Sequence, residues 1–316
     1  MSTISIQAQP EQTKVQPITG WQRWRYRHRH ALEAWLILTP ILLYYLIFNI
    51  APVVLNITLS FTRWNGISGV PQWIGINNYL TYLHGAYPRI IFNTALFALS
   101  SLLLQTTVAF FIAVLLNQKV FGRGLYRALW YIPTLTSAAI MAQVAVIFIS
   151  PFDGILNSIL TSLGQQPVIW TVQGNWMRVF IVAFTIWRGV GTSVVLFLAA
   201  LQGIHPELYE AAMVDGSSGW GLLRYITVPL LRPMILFVLV TGIIGGFQIF
   251  EAVLLISKGG PQNMTNVMLL QIYNDAFVNT NMGVASAGAV IMALILLWFS
   301  LTGMRLMQQG RSEVSA

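Results

Sequence analysis

The chain has 316 residues, of which 56% are hydrophobic and only 8% charged, with a net charge of +8 and no cysteine; its mean hydropathy is +0.69. Water-soluble domains carry about 25% charged residues, so this composition excludes an ordinary soluble enzyme and marks an integral membrane protein. The basic residues flank apolar runs instead of forming a domain of their own, which argues against a nucleic-acid-binding surface.

Residues 1–30 are polar at first and end in a basic cluster, and they read as a disordered cytoplasmic tail. The following apolar run is too long for a cleavable signal peptide and lacks a small-x-small cleavage site, so it reads as a signal anchor. Six long apolar segments follow one another at about residues 34–59, 90–116, 128–149, 179–201, 233–256 and 284–307. Each reaches the ~20 residues that a helix needs to cross the hydrocarbon core, whereas barrel strands would be half as long with period two. The prediction is an all-α, polytopic bundle of six transmembrane helices. Asn49 and Pro52 interrupt the first segment, where a kink is expected. Residues 31–89 comprise the first span and an outward loop, 90–307 the core of five further spans, and 308–316 a short tail.

Orientation follows from the basic residues. Lys14, Arg23, Arg25, Arg27, Arg29, Lys119, Arg123, Arg127, Arg224, Arg232, Arg305 and Arg311 fall on one side; Arg63, Arg89, Arg178 and Lys258 fall on the other. Both termini are therefore expected in the cytoplasm. The outward loops, about 60–89, 150–178 and 257–283, carry Trp64, Trp73, Tyr79, Tyr82 and Trp176, which suit an interfacial belt.

The loop at 202–232, on the cytoplasmic side, is patterned as a helix-turn-helix. Pro206 suits a first helical position, and Glu207 lies where the helix dipole favours negative charge. Leu208, Ala211 and Ala212 share one small, smooth face. Gly216 can end the helix in the left-handed conformation. Ser217 or Ser218 can cap a second short helix that stops before Pro229.

The chain contains no Gly-x-x-x-x-Gly-Lys-Ser/Thr phosphate loop, no His-Glu-x-x-His and no Gly-x-Ser-x-Gly. Its four histidines have no metal-ligand spacing, so neither a metal site nor a catalytic site is predicted. Energy for uphill transport would have to arrive through another subunit.

Glu210-Ala211-Ala212, with Gly216, Ile226 and Pro229 at fixed offsets, resembles the cytoplasmic loop of binding-protein-dependent ABC importer permeases. Requiring the three further residues lowers the chance of coincidence by roughly three to four orders of magnitude. Val228 stands where the family usually has Leu, and His205-Pro206 replaces its more usual Pro-x. Other segments are similar to the sugar-permease branch: Ser60-Phe61-Thr62-Arg63-Trp64, Trp73-Ile74-Gly75-Ile76-Asn77-Asn78-Tyr79, Phe121-Gly122-Arg123-Gly124-Leu125-Tyr126-Arg127, Gly259-Gly260-Pro261, and Ile272-Tyr273 with Ala276-Phe277. The likeness covers residues 31–307 and is nearest to maltose-type and glycerol-3-phosphate-type permeases.

The resemblance implies the type I importer permease fold in the cell membrane. It implies as partners a second homologous permease, a pair of ATPase subunits, an extracytoplasmic solute-binding protein, membrane lipid and a carbohydrate. ATP and Mg would be bound by the ATPase subunits, with no cofactor in this chain. It assigns ATPase coupling to Glu210, Ala211, Ala212, Asp215, Gly216 and Pro229, and binding-protein contact to Gly259, Gly260, Pro261, Gln262 and Asn263, for which a plain turn is the alternative. Charges inside spans are costly and either functional or paired. Arg188, Thr192, Gln248 and Glu251 are therefore candidates for the solute pathway, and pairing of Arg188 with Glu251 is an equal alternative. A glycerol-3-phosphate permease, or a secondary transporter with broken helices, is the competing class.

Overall fold

The structure, a computed structural model, describes residues 20–118 and 121–314, with side chains over 33–118 and 121–308. Residues 1–55 and 56–316 form two separate compact units. The described residues of the first unit, 20–55, are helical throughout. The helix runs through α1 (Gly20–Tyr45) and a π-helical turn at Leu46–Ile50, and continues as α2 (Ala51–Leu59) across the unit boundary. The chain is thus helical from Gly20, inside the segment read as a disordered tail; residues 1–19 of that segment lie outside the described residues.

The kink expected at Asn49 and Pro52 takes the form of that π turn. The Ala51 N–H bonds to the Leu46 carbonyl, five residues back, immediately before Pro52. In a regular α-helix the proline ring would press on the carbonyl four residues earlier and leave it without a donor. One wide turn makes room. The same arrangement recurs where the Val228 N–H bonds to the Leu223 carbonyl just before Pro229.

The second unit opens with a two-stranded antiparallel ladder, β1 (Thr62–Arg63) and β2 (Gln72–Trp73), with Thr62 opposite Trp73. Buried Asn78 in α3 (Asn77–Thr81) ties it down, donating to the carbonyls of Ser60 at 2.9 Å and Thr62 at 2.8 Å. The two sequence runs that flank this loop therefore meet each other. Trp73 and Trp176 are exposed as interfacial residues should be, but Tyr82 is buried in the core.

Next come α4 (Tyr87–Asn117), α5 (Arg123–Leu135), α6 (Ala138–Phe148), α7 (Ile155–Ser162) and α8 (Gly174–Gln202). They are followed by α9 (Pro206–Val214), α10 (Trp220–Leu222), a π turn at Leu223–Thr227 and α11 (Val228–Phe247). A π turn at Val253–Ser257, then α12 (Met268–Tyr273), a π turn at Asn274–Val278 and α13 (Met282–Val314) complete the chain. Helices α4 and α8 form the centre; α11 packs on α4, α5 on α8 and α13 on α11. Phe97, Met177, Ile181, Val190 and Phe197 fill the interior.

Five helices among the described residues are long and apolar enough to span a membrane, and six if α5 and α6 count as one span. That sixth span, expected over 128–149, is a bent pair of helices. It bends by 97° between Leu135 and Ala138, where Thr136 is extended at ψ 143°. The fifth span also differs from the expected 233–256. It starts at Trp220, stops at Phe247 and gives way to irregular backbone at Gln248, because Gly245-Gly246 weaken its last turn.

Small residues set the helix spacing. A Cβ at Gly246 would lie 2.9 Å from the Ala98 Cα, so α11 approaches the α4 backbone directly. Gly191 does the same for α8 against the Trp130 carbonyl on α5.

Candidate functional site: a charged cavity and two structured loops

The helix centre holds an open-mouthed cavity of about 600 Å³ lined by α4, α5, α8, the end of α11 and the segment 248–252, with Leu269 of α12 and Met292 of α13. It contains three of the four residues singled out as a solute pathway: Arg188, Gln248 and Glu251. The Arg188 Nη2 lies 4.0 Å from the Glu251 Oε2, with the two side chains 38% and 59% exposed. These two residues pair and also line the cavity. A half-exposed pair at that distance contributes at most about 1 kcal/mol, so it can open without much cost. The Arg188 Nε is buried with no hydrogen-bond partner. Thr192 is a correction: it is exposed and outside the cavity wall.

Sequence reasoning missed Ser101 and Gln105 on α4 and Thr134 on α5, all of which line the cavity. The Gln105 Nε2 donates to the Gly189 carbonyl and to the Ser193 Oγ, both at 3.2 Å. The Thr134 hydroxyl donates to the Arg188 carbonyl at 2.7 Å. The available signal was Ser101 and Gln105 at i and i+4, two polar residues on one face of the span.

The loop between α8 and α11 holds the second surface. Helix α9 starts with Pro206 and has Glu207 in its first turn. It ends in a Schellman arrangement: the Ser217 N–H bonds to the Ala212 carbonyl at 2.9 Å, and the Gly216 N–H to the Met213 carbonyl at 3.1 Å. This requires the left-handed Gly216, at φ 87°. Two expectations fail here. Gly219, not Ser217 or Ser218, precedes α10, and no side chain caps it. The second helix does not stop before Pro229 but passes through it into α11, by way of the π turn. Tyr209 and Thr227 join the two halves through their hydroxyls at 3.1 Å. Glu210, Ala211, Asp215, Gly216 and Pro229 are exposed and Ala212 is half-buried. Leu208, Met213, Val214 and Trp220 present apolar surface beside them.

The third feature is the Gly259–Thr265 segment, which follows a left-handed Lys258. It includes a cis Gly260–Pro261 bond and left-handed Gly259, Gln262 and Asn263. Side chains from distant helices hold it. Asn93 on α4 donates to the carbonyls of Asn263 at 2.8 Å and Asn266 at 3.0 Å. Arg178 on α8 donates to the Met264 carbonyl at 2.6 Å and to the Asn93 Oδ1 at 2.8 Å. Thr265 is fully buried and bonds to Ser257 and Gly260. Only Gln262 and Asn263 of the five residues assigned to partner contact are exposed. The segment is tied into the bundle by these bonds.

Beyond it, buried Asp275 accepts hydrogen bonds from Gln271 at 2.9 Å, Asn279 at 3.1 Å and Tyr87 at 3.2 Å. Burial pushes its carboxyl above the ordinary range, and those three bonds oppose the shift. Among the described residues no cluster of His, Cys, Asp or Glu could hold a metal ion.

Comparison with known proteins places this geometry in context. Residues 105–309 match the family model of the binding-protein-dependent transport system inner membrane component. The probable starch degradation products transport system permease protein AmyD of Thermoanaerobacterium thermosulfurigenes is 32% identical, over 90% of this chain and 97% of its own. The trehalose/maltose transport system permease protein MalF of Thermococcus litoralis is 30% identical, over 88% and 94%. Among solved structures, a chain of a bacterial ABC transporter that imports the acidic polysaccharide alginate superimposes with a TM-score of 0.79 at 26% identity, over 91% of this chain and 99% of that one. With its multi-pass helical architecture, its match over residues 105–309 and relatives alike along nearly their whole length, the chain belongs to the family of binding-protein-dependent transport system inner membrane components, the membrane-embedded permeases of ABC importers.

Proposed function

We propose that this permease forms half of the membrane pathway for a carbohydrate (a sugar, oligosaccharide or polyol) delivered by an extracytoplasmic binding protein. The observation that carries this reading is the end-to-end likeness to the alginate importer chain. It is supported by relatives whose names refer to starch degradation products, trehalose or maltose, and lactose. A related structure of the alginate transporter holds a pentasaccharide-bound periplasmic protein, which favours a binding-protein partner here. A glycerol-3-phosphate-like solute is disfavoured, because Glu251 offsets the Arg188 charge in the cavity.

The chain carries no phosphate-binding loop, so ATP and Mg belong to separate ATPase subunits, and a second permease completes the pathway. Coupling runs through α9. Glu210 gives it a charged contact, and Leu208, Met213, Val214 and Trp220 offer exposed apolar surface of the kind that partners cover. ATP binding closes the ATPase pair and moves α9 as a rigid body. The two permeases rock so that the cavity faces outward and then inward, each state held by its own contacts.

The test is copurification of the ATPase together with solute uptake in vesicles. Glu210→Lys reverses the contact charge, and Gly216→Pro cannot adopt a φ of 87°. Both variants are expected to insert normally but to lose ATPase and uptake. Wild-type levels of both in both variants would remove the loop from the mechanism.

A further inference from the structure

The cavity wall has a donor and acceptor balance that bears on what it admits. Its hydroxyls point their hydrogens away from the space they line: Ser101 donates to the Phe97 carbonyl, Thr185 to the Ile181 carbonyl and Thr134 to the Arg188 carbonyl. The Gln105 amide likewise donates to the Gly189 carbonyl and the Ser193 hydroxyl. Donation to a bound solute therefore falls to the terminal nitrogens of the Arg188 guanidinium and to the Gln248 amide. Glu251 adds two strong acceptors, and among the described residues it is the only anion in the wall.

We infer that Glu251 is a specificity-determining residue that makes the cavity select neutral over anionic saccharides, by neutralising Arg188 and repelling any incoming carboxylate. This rests on the reading that the cavity is the solute pathway. A neutral polyol suits the wall, because one sugar hydroxyl can accept from Arg188 while its neighbour donates to Glu251. A uronate suits it poorly. Its carboxylate can reach Arg188 only by displacing Glu251, which then sits as a like charge beside it. Specificity here comes from a repulsive element as much as from an attractive one. With Glu251 replaced by a neutral residue the same cavity would carry an unopposed guanidinium, which is a carboxylate site.

The experiment uses the assembled importer in nanodiscs, without nucleotide or binding protein. Saturable binding is measured for two tritiated probes: maltotriose, and the same trisaccharide oxidised at C6 to its triuronate. Wild type is expected to favour maltotriose. Glu251→Gln should shift the ratio of the two dissociation constants by about tenfold toward the triuronate, the effect of about 1.4 kcal/mol. Arg188→Gln, which leaves the carboxylate unopposed, should shift it the other way, and it decides the matter if the first variant fails to assemble. Removing both charges should bring the ratio back toward that of wild type. A fourth variant, Gly245→Trp, tests the underlying reading, since a Cβ at Gly245 meets nothing within 4 Å and a large side chain there would fill open space. Loss of binding of both probes in Gly245→Trp, with an unchanged ratio in the charge variants, overturns the inference alone. Undiminished binding in Gly245→Trp, or no saturable binding to wild type, overturns the pathway reading and the inference with it.

Discussion

At the scale of single residues, several of the polar side chains that matter have at least one partner far away in sequence. Asn93 and Arg178 meet carbonyls at 263, 264 and 266, from three different parts of the chain. Asp275 collects Tyr87, Gln271 and Asn279. Its carboxyl is held above the ordinary range chiefly by burial. The folded protein therefore binds this proton more tightly than the unfolded chain does. The stability it contributes is complete below the unfolded value, about 4, and is lost as pH rises through the higher folded value. The melting temperature of the purified protein is expected to fall as pH is raised across that window. Asp275→Asn should flatten that part of the profile; a profile parallel to wild type would mean that another group controls it. None of this was legible beforehand, because local patterns do not report contacts between residues 188 positions apart, as Tyr87 and Asp275 are.

At the scale of elements, the segments with strong local rules were the legible ones. Pro206, Glu207 and Gly216 each obey a terminal rule of helices, and α9 runs between them as those rules require. The spans of α4, α8 and α13 follow from length and hydropathy alone. The bend between α5 and α6 escaped because Thr136 and Ser137 do not break helices strongly, and an apolar run looks the same straight or folded. Passage of the helix through Pro229 escaped because the π turn removes the usual clash. Likewise, Arg188 and Glu251 announced themselves as charges in apolar segments, whereas Gln105 and Thr134 lacked that contrast.

The loop from Lys258 to Asn266 lends itself to a sharper test at this scale. Its exposed tip and its buried base should behave differently. Thr265→Ala deletes a fully buried hydroxyl with two partners, and is expected to destabilise by about 1–3 kcal/mol. Gln262→Ala alters an exposed side chain and should stay within about 0.5 kcal/mol. Thermal melts followed by size-exclusion chromatography check both. If the tip contacts a binding protein, Gln262→Ala alone should lower the ATPase stimulation elicited by the loaded binding protein. Equal melting of the two variants would contradict the buried-base arrangement.

At the scale of the whole molecule, the bent α5–α6 pair decides the topology. Counted as one crossing it gives six, the number with which the placement of arginine and lysine predicts both termini in the cytoplasm. Reporters fused after Arg127 or at Ala316 are expected to read cytoplasmic, and one near Gln165 external. An external reading at Ala316 would mean an odd number of crossings, with the bent pair returning to the face it left.

The continuous helix from Trp220 to Phe247 has 28 residues, a rod of about 42 Å at ordinary helical rise. One end lies in the exposed loop and the other in the cavity wall at Gly242, Gly245 and Gly246. Length gives such a rod mechanical gain: a tilt of about 5° displaces its far end by roughly 4 Å relative to its pivot, close to the thickness of a sugar ring. The glycines at that far end have no side chains to jam against α4 as it sweeps. Such a member, if its π turn and prolines hold it stiff, converts a small angular input at one surface into a passage-sized change in the middle of the bundle.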